Sequence, residues 1–191
     1  MLTAKRCEIK GYSVTYRFLP TADFTMYTLA KACSHHNHGH CISDAIGAAR
    51  QLCDERGVRL TSLREQVLEL VWQSHKPLGA YTLMDMLAEA STRQIAPPTV
   101  YRALDFLLEE GLIHRINSLN AFIGCPSPSQ KHQSHFLICQ SCKVAVELDS
   151  SQLNQSINDA AAKSGFSVSS HSIEINGICP SCQKNKNEID L

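Results

Sequence analysis

Apolar residues recur with helical spacing in three consecutive segments of the first half of the chain. The stretch "SDAIGAARQLCDERG" begins with Ser43, a good N-cap residue, and closes on Gly57, so we predict a helix that starts at Ser43. In "TSLREQVLELVWQSHKP", Ser62 and Glu65 have the spacing of a capping box ahead of an apolar stripe. The stretch "GAYTLMDMLAEAS" repeats the helical period. These patterns predict three short helices in succession.

A fourth helix and a hairpin are predicted by "APPTVYRALDFLLEEGLIHRINSLNAFIGC". The two prolines suit a helix start, and Gly111 suits the position after its last turn. Val100, Leu104 and Leu107 share the predicted buried face, while "LIHRI" and "AFIGC" flank a polar turn as hairpin strands do. Helices followed by a hairpin indicate a winged helix-turn-helix, whose second helix would enter a DNA major groove. A small helical domain without a nucleic acid partner remains the alternative.

A shorter α+β pattern follows the linker-like stretch "PSPSQKHQS". Two strands around a tight turn are predicted by "FLICQSCKVAVELD", a helix by "SQLNQSINDAAAKSG" and a further strand by "FSVSSHSIEINGIC". A unit this small needs a metal or a partner to be stable. The predicted boundaries are a poorly ordered leader with a His/Cys tract over 1–41, a winged-helix domain over 42–125, a hinge over 126–135, a second domain over 136–184 and a tail over 185–191.

Composition limits the class of protein. The chain is 43% hydrophobic and 19% charged, with no apolar run long enough to cross a membrane and no signal-peptide core, so we predict a cytoplasmic location. In a reducing compartment, nine cysteines indicate metal binding or redox chemistry rather than disulfides. Because the formal net charge is zero, binding to DNA would have to depend on a local surface.

Two CxxC pairs form the strongest chemical signal: Cys139 with Cys142, and Cys179 with Cys182. Each pair places two thiolates in one turn, and two pairs complete the tetrahedral four-sulfur site that zinc prefers in structural positions. A thioredoxin-like redox site would need one pair only. We therefore predict a structural zinc that contributes directly to folding.

A more dispersed set of ligand-type residues brackets the predicted hinge. Its members are His114, Cys125, His132, His135, Glu147 and His171. Taken singly, each has an ordinary explanation, such as a wing residue, a buried small side chain or an exposed strand residue. A metal held from both sides of the hinge would couple the geometry of the domains to metal concentration. The tract "CSHHNHGHC" over 33–41 has ligand chemistry too, but its ordering would cost entropy, so we expect low-affinity zinc capture there at most.

Four segments together resemble the ferric uptake regulator family, and its zinc uptake regulator branch above all. They are "RGVRLTSLREQVLELV", "APPTVYRALDFLLEEGLIHRI", "HFLICQSCKVAVE" and "NGICPSC". The resemblance covers about residues 43–183 and implies a homodimeric repressor that is not an enzyme. It implies a winged-helix domain, a small α/β dimerisation domain, a structural zinc, and a separate sensing zinc at the hinge. The implied partner is a double-stranded DNA operator with a pseudo-palindromic sequence. The resemblance implies neither a membrane partner nor a small-molecule substrate.

The resemblance also implies ligands, by position. The structural zinc falls on Cys139, Cys142, Cys179 and Cys182, and the sensing zinc on His114, Cys125, His132 and Glu147. A thiolate at Cys125 makes the sensing site softer than a His/carboxylate site, which favours zinc over iron or manganese. His135 and His171 are possible extra ligands of a third site.

Six residues are candidates for contacts with DNA. Tyr101 and Arg102 are predicted to face the bases, since arginine can bind guanine N7 and O6 together. Thr99, Tyr81, Arg59 and Arg64 are predicted to make backbone or local contacts, with a solvated helix end as the alternative for the last two. We predict a zinc-responsive repressor of zinc uptake genes. The alternatives are a relative that responds to iron, manganese, nickel or peroxide, a zinc storage or chaperone protein, and a cysteine redox enzyme.

Overall fold

The computed structural model describes residues 38–74, 76–90, 95–129, 132–148 and 150–187. Within them, the helices are α1 (His38–Glu55), α2 (Ser62–Trp72), α3 (Ala80–Ala90), α4 (Pro97–Glu109), α5 (Ser151–Lys163) and α6 (Pro180–Asn187). The strands are β1 (Leu78–Gly79), β2 (Ile113–Ile116), β3 (Ala121–Gly124), β4 (His135–Cys139), β5 (Ala145–Leu148) and β6 (Ile173–Gly177). None of the described helices is long and apolar enough to span a membrane.

The first four helices share one apolar core with α2 at its centre. Val67, Leu83 and Leu107 are fully buried there, because the apolar stripes of α2, α3 and α4 face one another. Beside them lies a three-stranded sheet in the order β1-β3-β2. The predicted α4 and its hairpin are confirmed, and Gly111 ends α4 with a positive φ of 68°, which glycine adopts without strain. Together these elements make a winged helix-turn-helix.

Two predicted helix starts are wrong. Helix α1 spans His38–Glu55 and so includes the residues before Ser43, since Ile42 extends the apolar face of the helix onto the core and an N-cap preference of about 1 kcal/mol does not stop it. The last residues of the predicted leader, 38–41, are therefore helical, and residues 1–37 lie outside the described part. In α2 the N-cap is Thr61, without a side-chain cap, and the Glu65 carboxylate instead accepts hydrogen bonds from Arg50 of α1.

The second half of the chain forms a sheet in the order β5-β4-β6. Strand β4 pairs antiparallel with β5 and parallel with β6, and the connection from β4 to β6 that a parallel pair requires runs through β5 and α5. The predicted hairpin and helix are confirmed, whereas the last strand is shorter than its alternating pattern and α6 was not predicted.

The core of this second sheet is small. Its buried members are Phe136, Ile138 and Ala145, which pack with Ile116 of β2 from the first sheet, and α5 contributes no buried residue. Apolar side chains stay on the surface: Phe166 is 74% exposed, Ile175 42% and Leu137 36%. The sheet therefore agrees with the expectation that this half needs a metal or a partner, while the exact domain boundaries stay a prediction.

Candidate metal centres and nucleic-acid interface

The two CxxC pairs meet at one edge of the second sheet. Cys139 ends β4, and Cys179 follows β6, its parallel neighbour, so both turns leave the sheet at the same edge. The Sγ atoms of Cys139, Cys142, Cys179 and Cys182 all lie within 4.8 Å of one another. The distance from Cys142 Sγ to Cys179 Sγ is 3.7 Å. Zinc–sulfur bonds of about 2.3 Å in a tetrahedron put neighbouring sulfurs about 3.8 Å apart, so this spacing fits zinc.

Backbone N–H groups prepare this cluster for a cation. Hydrogen bonds from the backbone of Cys142 and Cys179 lower the pKa of Cys139 to about 6, and the Cys179 nitrogen lies 3.4 Å from Cys139 Sγ. Hydrogen bonds with the neighbouring thiols raise the pKa of Cys182 to about 12. The four cysteines are free thiols rather than disulfides. Four cysteine sulfurs this close together, one of them an acidic thiol, form a donor set that a divalent cation would deprotonate fully.

A second group of ligand-type residues joins the two sheets. His114 comes from β2 and Cys125 directly follows β3, whereas His132 precedes β4 and Glu147 lies on β5. Their ligand atoms all lie within 4.8 Å of one another. Glu147 Oε1 lies 2.8 Å from His132 Nε2 and 3.4 Å from His114 Nε2, and Cys125 Sγ lies 3.7 Å from His132 Nε2. We call this set the hinge group.

Burial leaves the hinge group short of partners. Glu147 Oε1 is buried and, among the described residues, has no hydrogen-bond partner, although His132 Nε2 is near enough to form an ion pair if protonated. Desolvation lowers the pKa of His114 below its ordinary value. The charge of Glu147 raises this pKa, whereas His132 lowers it further. Desolvation also raises the pKa of Cys125 to about 12. A cation among these four groups would satisfy the orphaned oxygen and stabilise the Cys125 thiolate, so the site fits a metal with mixed nitrogen, sulfur and oxygen ligands.

One partner of the hinge group has no sequence signal that singles it out. The hydroxyl of Ser134 lies 3.1 Å from His114 Nδ1 and 3.3 Å from His114 Nε2. Hydrogen bonds of this kind orient the ring of a histidine that binds a metal. Only the tertiary structure reveals this role of Ser134, because it places the residue before β4 beside His114 of β2.

His135 and His171 lie together, apart from the hinge group. Their rings stack with centroids 5.1 Å apart, and Asn154 Oδ1 lies 2.7 Å from His135 Nε2 and 3.0 Å from His171 Nε2. His135 Nδ1 accepts a hydrogen bond from the backbone N–H of Ile173. Asn154 therefore links α5 to both histidines, and a metal role for the pair stays a prediction.

The candidate DNA-contacting side chains differ in how exposed they are to solvent. Thr99, Tyr101 and Arg102 lie on the exposed face of α4, as predicted. Tyr81 on α3 is 76% exposed, and Arg59 is exposed in the loop before α2.

Arg64 is half-buried, and it is not the solvated helix end that was its alternative. Its guanidinium lies 3.5 Å from the centre of the Phe106 ring, and its Nη1 donates to the carbonyl oxygen of Arg59. The arginine therefore makes local contacts between α2, α4 and the loop before α2.

The end of the His/Cys tract lies nearer to the hinge group than its place in the chain suggests. Cys41 and Asp44 of α1 line a cavity of about 320 Å³ that Trp72 and Cys125 line too. Residues 33–37 of the tract lie outside the described part, and so does the side chain of His38.

Comparisons with known proteins agree with this architecture. The profile of the ferric uptake regulator family matches residues 55–176. The zinc uptake regulation protein of Escherichia coli is 39% identical over 140 residues, which are 73% of this chain and 81% of that protein. Among solved structures, a zinc uptake regulator complexed with zinc and DNA has a TM-score of 0.73 and 37% identity, covering 76% of this chain and 97% of that one. The holo form of XcZur has a TM-score of 0.68 and 41% identity over 74% of this chain and 98% of that one. The chain belongs to the ferric uptake regulator family.

Proposed function

We infer that this protein is a cytoplasmic, zinc-responsive DNA-binding repressor of zinc uptake genes that acts as a homodimer. The observation that carries the inference is the hinge group, because its mixed His/Cys/Glu ligands come from both sheets. A metal there is able to change how the winged-helix half is held relative to the second half.

Two zinc ions per chain are proposed. Cys139, Cys142, Cys179 and Cys182 would hold a structural zinc, which cross-links the turns after β4 and β6. His114, Cys125, His132 and Glu147 would hold the sensing zinc. When bound, zinc would supply a positive charge to these four ligands and would displace the proton of the Cys125 thiol.

The ligand type favours zinc over other signals. Cys125 offers a soft thiolate, whereas sites for iron(II) and manganese rely more on imidazole and carboxylate ligands. A redox enzyme would need an exposed thiol of low pKa, but Cys139, whose pKa is lowered to about 6, is buried among three other cysteines, and burial raises the pKa of Cys125. A zinc storage protein would have no use for the exposed polar face of α4, which suits contacts with DNA.

The hinge group acts on a conformational equilibrium. His114 and Cys125 belong to the first sheet's hairpin, and His132 and Glu147 to the second sheet, so ligation by all four favours the arrangement in which the sheets are close. To shift such an equilibrium from 1:99 to 99:1, zinc must bind the favoured state about 10⁴-fold more tightly. By linkage, DNA bound to that state must tighten zinc binding by the same factor as zinc tightens DNA binding.

DNA recognition is assigned to α4. Its exposed Arg102 and Tyr101 would reach base edges in the major groove, and Thr99 and Tyr81 would reach the backbone. A homodimer would present two such helices to the halves of a pseudo-palindromic operator. The exposed Phe166 and Ile175, beside a small core, give the second half an apolar surface for a partner copy.

The test of this function is DNA binding at controlled metal concentrations. A duplex selected from a random library with zinc-loaded protein would be titrated with the protein over buffered free zinc, manganese and iron(II), and bound metal would be counted. We expect two zinc ions per chain and DNA affinity that rises with free zinc only. Binding that is indifferent to all three metals would contradict the proposal, and a response to iron or manganese alone would identify a relative with another signal.

Replacing Arg102 separates base contacts from phosphate contacts. Arg102→Ala should reduce discrimination between the selected duplex and a scrambled one by about 1–3 kcal/mol, because an arginine that binds guanine carries sequence information. Competition binding at saturating zinc measures this loss. Lys163→Ala, at the end of α5, is the matched charge control. Unchanged discrimination in Arg102→Ala would remove this residue from the base-contacting set.

A further inference from the structure

A carboxylate on the second sheet reaches the turn of the first sheet's hairpin. Glu174 lies on β6, and its Oε1 accepts a hydrogen bond from the backbone N–H of Asn117 at 2.6 Å. Its Oε2 accepts from the backbone N–H of Ser118 at 3.0 Å. Both donors belong to the turn between β2 and β3. The contact therefore joins the same two sheets as the hinge group, but at a different place and without a member of either ligand group.

The contact has the properties of a strong interaction. Burial raises the pKa of Glu174, but the hydrogen bonds from Ser118 and Asn117 outweigh this effect and the pKa lies below its ordinary value. The carboxylate is therefore ionised at neutral pH, and both hydrogen bonds are charge-assisted. Asn117 contacts the carboxylate through its backbone N–H, and Ser118 does so through its backbone N–H and its hydroxyl.

The hairpin turn does not need Glu174 for its own shape. The turn is closed by a hydrogen bond from Asn120 N–H to the Asn117 carbonyl oxygen at 3.2 Å. Asn120 adopts a φ of 46°, and its side chain accepts from Arg115 at 2.8 Å. Since the turn is closed internally, the Glu174 carboxylate acts on where the turn lies relative to β6.

Strand β6 is itself well anchored to the second sheet. Glu174 pairs with Phe136 of β4, and the preceding residue, Ile173, donates its backbone N–H to His135. The backbone N–H of His171 donates to Gln133. The carboxylate thus projects from a fixed strand onto a closed turn, so a displacement of the hairpin breaks both of its hydrogen bonds together.

We propose that Glu174 is a positioning residue of the zinc response, which holds the hairpin turn against β6 and so stabilises the arrangement in which the hinge group is assembled. The inference rests on the proposed function, because it concerns the same equilibrium between arrangements. Among the contacts between the two sheets, the hinge group depends on zinc and the Glu174 contact does not. The Glu174 contact sets how much zinc the hinge group needs.

Loss of the Glu174 contact should change zinc sensitivity and spare the affinity for DNA at saturating zinc. A protein whose competent state is less populated binds its ligand more weakly by that fraction, whereas excess ligand restores the population. For Glu174→Gln we expect the free zinc at half-maximal DNA binding to rise about tenfold, and DNA affinity at saturating zinc to change less than about twofold. Removal of a negative charge alone would act in the opposite direction, because it favours DNA binding.

A variant on the donor side tests the same contact independently. Ser118 occupies the second position of the hairpin turn, where proline is well tolerated, and Ser118→Pro removes both the backbone N–H and the hydroxyl that contact Glu174. The double variant Glu174→Gln with Ser118→Pro should shift the free zinc at half-maximal DNA binding no further than Glu174→Gln alone, since the two changes remove the same interaction from its two sides. Glu55→Gln is the charge control, because the Glu55 carboxylate accepts a hydrogen bond from Gln51 on its own helix and lies in neither ligand group.

The experiment is a DNA titration of the full-length chain over buffered free zinc, with amide hydrogen exchange at Ser118 as a second measurement. We expect a raised zinc midpoint in both single variants, faster exchange at Ser118 in Glu174→Gln, and a wild-type midpoint in Glu55→Gln. An unchanged midpoint in both single variants, or an equal loss of DNA affinity at every zinc concentration, would overturn the proposal. A wild-type protein that binds DNA without regard to zinc would overturn the proposed function instead.

Discussion

Cys125→Ser should abolish zinc-dependent DNA binding while the protein stays folded. Loss of a thiolate ligand from the hinge group should weaken the sensing zinc at least about 100-fold, since even outer partners of a metal site contribute 10–100-fold. The hydroxyl of serine is a poor ligand that does not ionise at neutral pH, so the remaining three ligands cannot compensate. DNA titration over buffered zinc measures the effect, and bound metal should fall from two zinc ions per chain to one.

A second buried cysteine controls for the loss of a thiol. Cys53 is 1% exposed in the first core and belongs to neither ligand group, and burial raises its pKa. Cys53→Ala should therefore leave the zinc midpoint unchanged, at a modest cost in thermal stability. If Cys125→Ser kept a wild-type response to zinc, the hinge group would not be the sensing site.

Cys142→Ser should unfold the second half of the chain. That half contributes only Phe136, Ile138 and Ala145 to its small apolar core, whereas a structural zinc contributes about 10–16 kcal/mol of binding free energy at neutral pH. The lost ligand also leaves the three other thiols crowded at the sheet edge. We expect a large fall in melting temperature, rapid hydrogen exchange in β4, β5 and β6, and loss of DNA binding at every zinc concentration.

A neighbouring substitution tests whether this effect belongs to the metal. Ser141 lies in the same turn, between the two cysteines, and is exposed. Ser141→Ala should melt and bind zinc like the wild type. A Cys142→Ser protein with a wild-type melting temperature would show that the four-cysteine site does not stabilise the fold. The two cysteine variants also differ in kind, because Cys125→Ser loses the response to zinc and Cys142→Ser loses the structure.

Local patterns predicted most of the helices and strands correctly. The recognition helix and its hairpin followed from helical spacing around Val100 and Leu104 and from the Gly111 stop, since burial of one face decides such elements. Helix starts were predicted less well. Ser43 and Ser62 carry the chemistry of N-caps, but the packing of Ile42 and the pairing of Glu65 with Arg50 outweigh that local preference.

Contacts between distant strands were beyond the sequence pattern. Strand β1 has only two residues, too few to show an alternating pattern. Nothing in the sequence around Ser134, Asn154 or Glu174 indicates that these side chains make long-range contacts. Each matters because a strand or helix from elsewhere passes beside it. Cys41 lines the same cavity as Cys125 for the same reason, although the His/Cys tract was expected to lie apart from the working site.

The chain by itself determined the two CxxC pairs, the helical faces and, through its resemblance to a family, the ligands of both candidate sites. Each CxxC pair is local, because two thiols separated by two residues share one turn wherever that turn lies. Only the tertiary structure decided that His114, Cys125, His132 and Glu147 converge around a buried carboxylate oxygen without a hydrogen-bond partner among the described residues. Strand pairing and the packing of one sheet beside the other set those distances, and no periodicity along the chain encodes them.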